Sequence, residues 1–370
     1  MNTGKDFDVA VVGGGPGGSA AAKRCAEAGL RTLLLEKFKL PRNKVCTGMI
    51  MSEMSQRLVR EEFGDIPEKV LTTPPYLGGI KFHGPKTTPL TFLCKMPFVW
   101  RKEFDYWMNQ VAQKVGVELW NSAKVKGILQ NEKGHVLKIE KEGQTKFVKA
   151  KFLIGADGTF SLTRKTLFPQ AQMKYQLCLR QCYRGSMDLE PAYVHYFYFP
   201  DLTAFEVNSK DNLFLLEFTP KSGQREISGL IGKAEQWLKN DYGFSPLSKF
   251  LWRDGCFEPS MGRKPFSGAF PLAKKNAILV GDAAGLTKPI TGEGIGTALR
   301  SGLMGGEAVI QSAKRGEEAE KFYIPMAQGM VDTLGRMYPS HGKIKEEARK
   351  GMEYLMATIM EIFSQANTIL

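Results

Sequence analysis

The sequence predicts an α/β fold in which a mainly parallel sheet flanked by helices is interleaved with an antiparallel sheet and closed by C-terminal helices. Three observations carry the prediction. Val9 to Val12 is a continuous apolar run that passes directly into Gly13-Gly14-Gly15-Pro16-Gly17-Gly18, and unbroken apolar runs mark strands buried on both faces of a parallel sheet. Two later apolar strands end in the same manner, Phe152 to Ile154 in Gly155-Ala156-Asp157-Gly158 and Ala277 to Val280 in Gly281-Asp282-Ala283-Ala284-Gly285. Between them, residues 176–218 hold aromatic segments with the two-residue alternation of antiparallel strands.

The first unit is the most explicit. Gly13, Gly15 and Gly18 stand at the GxGxxG spacing that follows a strand and opens a helix. Gly13 permits the tight turn, Gly15 removes the Cβ that would hold a pyrophosphate away, and Gly18 lets the helix pack close to the sheet. Ala20 to Ala28 then reads as helix, Gly29 as its left-handed cap, and Thr32 to Leu35 as a second strand. Glu36 lies 23 positions after Gly13, where an acid accepts a hydrogen bond from a ribose hydroxyl. A dinucleotide whose pyrophosphate lies over the helix N-terminus is therefore expected.

Further along, Lys39 to Ile50 forms a loop with Arg42, Lys44 and Cys46, and a helix runs from Ser52 to about Phe63. Pro74-Pro75 breaks the pattern, Leu77 to Leu93 reads as a hairpin around Gly84-Pro85, and a helix covers Arg101 to Val115. A lysine-rich meander follows, from Glu118 to Ala150. Strands at Tyr193 to Phe199 and Leu213 to Phe218 precede helices at Ile231 to Lys239 and Pro246 to Trp252, and the chain beyond residue 285 reads as helical. These segments divide into a first domain of residues 1–75, 96–170 and 268–330, a second of 76–95 and 171–267, and a C-terminal helical segment of 331–370.

Composition narrows the class. The 370 residues are 43% hydrophobic and 24% charged, the balance of a globular protein. No apolar stretch approaches the ~20 residues of a membrane span, and the N-terminus enters its first strand too soon for a secretory signal, so a cytoplasmic location is expected. The net charge of +13 fits phosphate-bearing ligands, an anionic membrane surface or a solvated basic face. No basic segment interleaved with aromatics points to nucleic acid. The six cysteines are scattered and read as free thiols, with Cys178 and Cys182 forming a single Cx3C. The four histidines (83, 135, 195, 341) stand in unrelated contexts, so neither a metal site nor a nucleophilic triad is expected.

The three glycine-rich loops, in this order and spacing, resemble the three FAD-binding motifs of the para-hydroxybenzoate hydroxylase superfamily. Arg42-Asn43-Lys44-Val45-Cys46, Arg101-Lys102-Glu103-Phe104-Asp105 and Pro289-Ile290-Thr291-Gly292-Glu293-Gly294-Ile295 look like its geranylgeranyl reductase branch. The resemblance covers roughly residues 6–310. It implies a Rossmann-like FAD-binding domain with an interleaved antiparallel-sheet substrate domain, and FAD as cofactor. Contacts are implied at Gly13, Gly15, Gly18, Glu36, Lys37, Lys44 and Arg101. Further contacts are implied at Asp157, Gly158, Gly281 and Asp282, with Gly292, Gly294 and Ile295 around the isoalloxazine. Asp157 alternatively satisfies N–H groups of its own turn, and Arg101 is alternatively a plain surface residue. Cys46 stands where the branch carries a cysteine beside the flavin, within Lys44-Val45-Cys46-Thr47-Gly48 in place of Lys-x-Cys-Gly-Gly. It is the candidate catalytic residue, or else a small buried hydrophobe.

The implied reaction is reduction of C=C bonds in an apolar, isoprenoid or lipid-like substrate by hydride from reduced flavin. An aromatic monooxygenase is the alternative, and a non-catalytic, membrane-associated flavin protein is the alternative of another class. There is no second GxGxxG, so NAD(P)H visits the flavin transiently or another reductant serves. Tyr193, Tyr196, Phe197, Tyr198, Phe199, Phe205 and Phe214 line a hydrophobic pocket or simply pack the sheet. The branch's Tyr-x-Trp-x-Phe-Pro segment lacks its tryptophan here, and the Trp-x-Trp pair of flavin halogenases is missing. Near the end, Met352, Leu355, Met356, Ile359, Ile362 and Phe363 share one helix face after a basic group, Lys343, Lys345, Arg349 and Lys350. That face either packs on the domain or touches membrane. Oligomeric state is not encoded in any of these features.

Overall fold

A computed structural model describes residues 5–220 and 224–369. β1 (Lys5–Val12) reaches Gly13, whose φ of 109° admits only glycine without strain, and α1 (Pro16–Glu27) begins at once. Pro16 in the first turn loses no hydrogen bond, because that N–H has no helical partner anyway. β2 (Thr32–Leu35) returns parallel to β1, and α2 (Glu53–Phe63) is capped by Ser52.

The chain then crosses to a second sheet for β3 (Leu71–His83) and β4 (Leu90–Val99). It comes back for α3 (Arg101–Lys114), β5 (Glu118–Trp120), β6 (Ala123–Asn131), β7 (Gly134–Lys141), β8 (Gln144–Gly155) and α4 (Leu162–Leu167). A second excursion supplies β9 (Tyr175–Tyr183), β10 (Gly185–Ser186), β11 (Tyr193–Tyr198), β12 (Ala204–Lys210), β13 (Leu213–Phe218), α5 (Gln224–Tyr242), β14 (Ser245–Pro246) and β15 (Trp252–Pro259). The last return brings β16 (Ala273–Lys274), β17 (Ala277–Leu279), α6 (Ile295–Arg315) and α7 (Glu320–Met337), followed by α8 (Ser340–Lys350) and α9 (Met352–Ile369).

The first sheet runs β16-β17-β8-β1-β2-β5, with the β6–β7 hairpin joined to β8 through β7. Its central strands are parallel, with apolar stretches at residues 9–12, 33–35, 152–154 and 277–279, packed between α1, α6 and α7 on one side and the hairpin on the other. The second sheet runs β15-β9-β13-β12-β11-β3-β4, antiparallel except where β11 meets β3. α5 covers its outer face, and α8 and α9 pack against its β3–β4 end.

Several expectations need correction. Pro74 and Pro75 do not end an element; they lie inside β3 at a register shift between Leu71 and Tyr76, where missing N–H donors are tolerated. No helix forms at Pro246 to Trp252, which instead leads into β15, and the preceding helix is longer than expected. The apolar face of α9 is not free for lipid. Leu355, Met356, Ile359, Ile362 and Phe363 are buried against Ile80, Phe82, Met96 and Phe98, and Phe363 meets Phe82 edge-on at 5.2 Å. On α8 the basic residues Lys343, Lys345, Arg349 and Lys350 remain exposed.

Candidate active site

β17, β8 and β1 are neighbours and parallel, so the three glycine-rich loops at their carboxyl ends open on one crevice, the usual place for a cofactor in such sheets. The cavity there measures about 1520 Å³ and lies between the two sheets. Gly13, Gly15, Glu36, Lys37, Lys44, Cys46 and Arg101 line it. Asp157, Gly158, Gly281, Asp282, Gly292, Gly294 and Ile295 line it too. Gly18 does not: a Cβ there would collide with the Gly13 carbonyl, so its role is the close packing of α1 on the turn.

The residues present fit an extended nucleotide. A Cβ at Gly15 would meet only Arg42 Nη2, at 3.8 Å, and one at Gly158 would meet nothing within 4 Å, so both backbones face open space. α1 has no acid in its first turn, leaving its N-terminus to an anion. The Glu36 carboxylate accepts from Gly14 N (3.1 Å), Phe38 N (3.0 Å) and Arg42 Nε (3.1 Å), fixing the turn while facing the cavity.

Arg101 opens α3, where a cation opposes the helix dipole. Asp105, one turn on, resolves the conflict by accepting from Arg101 Nε at 2.7 Å and Nη2 at 3.0 Å, and from Arg42 Nη1 at 3.0 Å. Burial works against the Arg101 charge, but Asp105 and the Cys46 thiol outweigh it and raise its pKa. Asp157 braces the start of α4: its carboxylate accepts from the N-cap Ser161 Oγ and from Thr163 N (3.0 Å) and Oγ1 (3.2 Å). The turn reading thus accounts for its side chain. Asp282 Oδ1 accepts from Thr287 Oγ1 at 3.0 Å.

Sequence reasoning missed the residues that tie these loops together. Arg164, only 1% exposed, donates to the carbonyls of Ala283 (2.9 Å) and Thr159 (2.8 Å), joining the second loop to the third. An arginine on a short polar helix reads as solvated, so nothing in the pattern exposed it. Lys288 and Glu293 form a buried ion pair at 2.6 Å within the third loop, and Lys288 also donates to the Ala366 carbonyl of α9 at 2.8 Å.

The opposite wall comes from the second sheet, where alternation decides which side chains enter. Tyr196, Tyr198, Glu206 and Glu217 face the cavity, while Phe197, Val207, Leu216 and Phe218 turn away into the core under α5. Of the seven aromatics read as either pocket-lining or sheet-packing, Tyr196 and Tyr198 line the cavity. Phe205 reaches the wall from a largely core position, Phe197, Phe199 and Phe214 belong to the core, and Tyr193 lies elsewhere. Asn208 Nδ2 bridges Glu206 (3.1 Å) and Glu217 (3.2 Å), with Thr47 Oγ1 at 3.4 Å from both. Burial, reinforced by the charge of Glu217, pushes the Glu206 pKa up to about 8.

Two cations hold the Cys46 loop. Arg180 donates to the Cys46 carbonyl at 3.1 Å and pairs with Asp254, and Lys210 donates to the carbonyls of Thr47 and Val99. Burial draws the Lys210 pKa down to about 8. The histidines correct a further expectation. His83 Nε2 and His195 Nδ1 are 3.0 Å apart and His83 Nδ1 is 2.8 Å from Tyr242 Oη, a buried chain outside the cavity. Cys178 pairs across the ladder with Cys256 rather than acting with Cys182.

A parallel-stranded nucleotide crevice facing a polar sheet wall is the architecture of a flavoprotein. The chain belongs to the FAD binding domain family, whose model matches residues 6–227. It is similar to the digeranylgeranylglycerophospholipid reductase of Methanocella arvoryzae, 27% identical over 365 residues that cover 93% of this chain and 88% of the relative. The enzyme of the same name from Methanocaldococcus jannaschii is 29% identical over 325 residues, covering 85% and 80%. In fold it is similar to a geranylgeranyl bacteriochlorophyll reductase-like protein from Thermoplasma acidophilum, with TM-score 0.73, 19% identity and coverage of 99% and 94%. The myxobacterial chondrochloren halogenase shares the fold at TM-score 0.72 and 19% identity, covering 90% and 81%.

Proposed function

We propose that the protein saturates carbon–carbon double bonds of an isoprenoid or other lipid-like substrate, with Glu206, backed by Glu217, as the source of the proton. The observation that carries this reading is the carboxyl group of Glu206, on the cavity wall with a pKa of about 8. Such a group keeps its proton at neutral pH and acts as an acid. The names of the curated relatives support the substrate class.

When bound, reduced FAD supplies the hydride. The chain does the rest. Gly13, Gly15, Glu36 and Lys37 would hold the nucleotide end, with Gly158, Gly281 and Asp282 available beyond them. Lys44, Arg101, Gly292, Gly294 and Ile295 would hold the ring end, with Cys46 in the same wall. Asn208, Thr47 and Tyr196 orient the Glu206 carboxyl toward the cavity. Met49, Met51, Leu202, Ile290, Ile344 and Ile359 line an apolar part of the same cavity, which excludes water and receives a hydrocarbon chain. NAD(P)H or another reductant would be the transient electron donor.

The test is an anaerobic incubation of the dithionite-reduced holoprotein with a geranylgeranyl lipid, followed by mass spectrometry of the product. The expected result is a gain of two hydrogens per double bond. A product that forms only with oxygen and contains it would overturn the reading in favour of a monooxygenase.

A further inference from the structure

The cavity wall contains a second reactive group of residues, away from Glu206. Cys178 on β9 and Cys256 on β15 are directly opposite one another in an antiparallel ladder, and both side chains line the cavity. Directly opposed residues in such a ladder have Cα atoms about 4.5–5.5 Å apart, inside the range a disulfide spans. Both thiols are free in the structure. The Cys178 thiol donates to Glu258 Oε1 at 2.9 Å and lies 3.6 Å from Thr219 Oγ1. Lys44 and Asp282, on the cofactor side of the cavity, act on Cys256 and Glu258 through space.

We propose that Cys178 and Cys256 form a reversible dithiol–disulfide couple that exchanges an electron pair with an external thiol compound entering the cavity. The chemistry of the three side chains divides the work. The neighbouring Cys178 side chain and the nearby Lys44 charge outweigh burial and draw the Cys256 pKa down to about 7, making it the nucleophile. Burial pushes Glu258 up to about 8, so it carries a proton to pass on. Among the other cysteines, burial instead pushes Cys25 up to about 12 and Cys182 up to about 11, leaving them inert.

With an external disulfide RSSR, the Cys256 thiolate attacks one sulfur, the S–S bond breaks, and one RS⁻ leaves with a proton relayed by Glu258. Cys178 then gives its proton to Glu258 and attacks Cys256 Sγ, forming the Cys178–Cys256 bond and releasing the second RSH. Two protein thiols are oxidised and one RSSR is reduced to two RSH. An external dithiol drives the reverse. The couple does not depend on the identity of the reduced lipid.

The experiment equilibrates the native holoprotein in glutathione buffers of varied reduced-to-oxidised ratio, quenches by alkylation and maps the peptides by mass. The expected result is one disulfide, Cys178–Cys256, titrating as a single two-electron couple, accompanied by a shift in the visible flavin spectrum. Cys178→Ser is expected to trap glutathione on Cys256. Alkylation of Cys256 should rise ~tenfold per pH unit and level off above its pKa. If the Cys178→Ser chain does not fold, the wild-type titration decides alone. Both thiols remaining alkylatable at every ratio in the folded protein, or glutathione distributing equally over Cys46 and Cys94, would overturn the proposal.

Discussion

On β11, β12 and β13 alternate side chains face opposite ways, and the two faces of the second sheet have opposite characters. Outward, Phe197 stacks on Phe205 at 4.7 Å, and both meet Trp237 of α5. Inward, neighbouring positions of the same strands carry Glu206, Asn208, Lys210 and Glu217. The outer face gains stability from apolar burial. The inner face gives some of it up, because buried ionisable groups cost folding free energy unless they are neutralised or paired. What it obtains is a wall of groups with shifted proton affinity, which is how perturbed pKa values and function coincide.

The sharpest break of this comparison is Glu206→Gln. It removes the proposed acid without changing shape, and turnover should fall by about 10²–10⁴-fold while the melting temperature holds or rises. A Gln variant of near-normal turnover would mean that the proton comes from elsewhere. On the outer face, Phe197→Ala should do the reverse. It should cost about 3–5 kcal/mol in urea unfolding and leave the turnover of the folded fraction unchanged.

The glycine-rich loop after β1 contains the same division within one turn. A Cβ at Gly18 collides with the Gly13 carbonyl, whereas one at Gly15 meets only Arg42. Gly18→Ala should destabilise by about 1–3 kcal/mol. Gly15→Val, at a φ of −85° that any residue adopts, should melt like the wild type but purify without its yellow flavin absorbance. Equal flavin content in the Gly15→Val protein would remove that loop from the cofactor site.

The difference between the faces also explains what could be read in advance. The glycine loops were legible because backbone sterics leave little choice at Gly13 and Gly18, so a short-range pattern suffices. β15 was not. Its inward positions are Asp254, Cys256 and Glu258 and its middle holds Gly255, so the inward-apolar rule that identifies strands fails where the inside is polar. Arg164 and Lys288 were missed for the same reason, since buried cations look like surface ones in sequence. The amphipathic face of α9 was legible, but its partner lies some 270 residues earlier in the chain, and periodicity alone does not reveal what covers a helix.

The smallest expected effect is also the most discriminating, because the phenylalanines of the outer face carry no proton and its histidines, His83 and His195, are drawn down by burial to about 3 and 4, below this window. Glu206 binds its proton more tightly folded than unfolded, with a pKa raised from 4.5 to about 8. Stability tied to that proton is full below pH 4.5 and is lost as pH rises through about 8. Lys210 works in the next window. Its pKa is lowered from 10.5 to about 8, so the folded state sheds the proton first, and stability is regained between those values. The wild-type melting temperature should therefore fall toward pH 8 and recover above it. Glu206→Gln should flatten part of the descending limb, the rest belonging to Glu258, also raised to about 8, and Lys210→Met the ascending one, whereas Phe197→Ala should lower this part of the curve without altering its shape. A Glu206→Gln curve parallel to the wild type would show that this carboxyl group is ionised in the folded protein, and the proton source would have to be sought on another wall of the cavity.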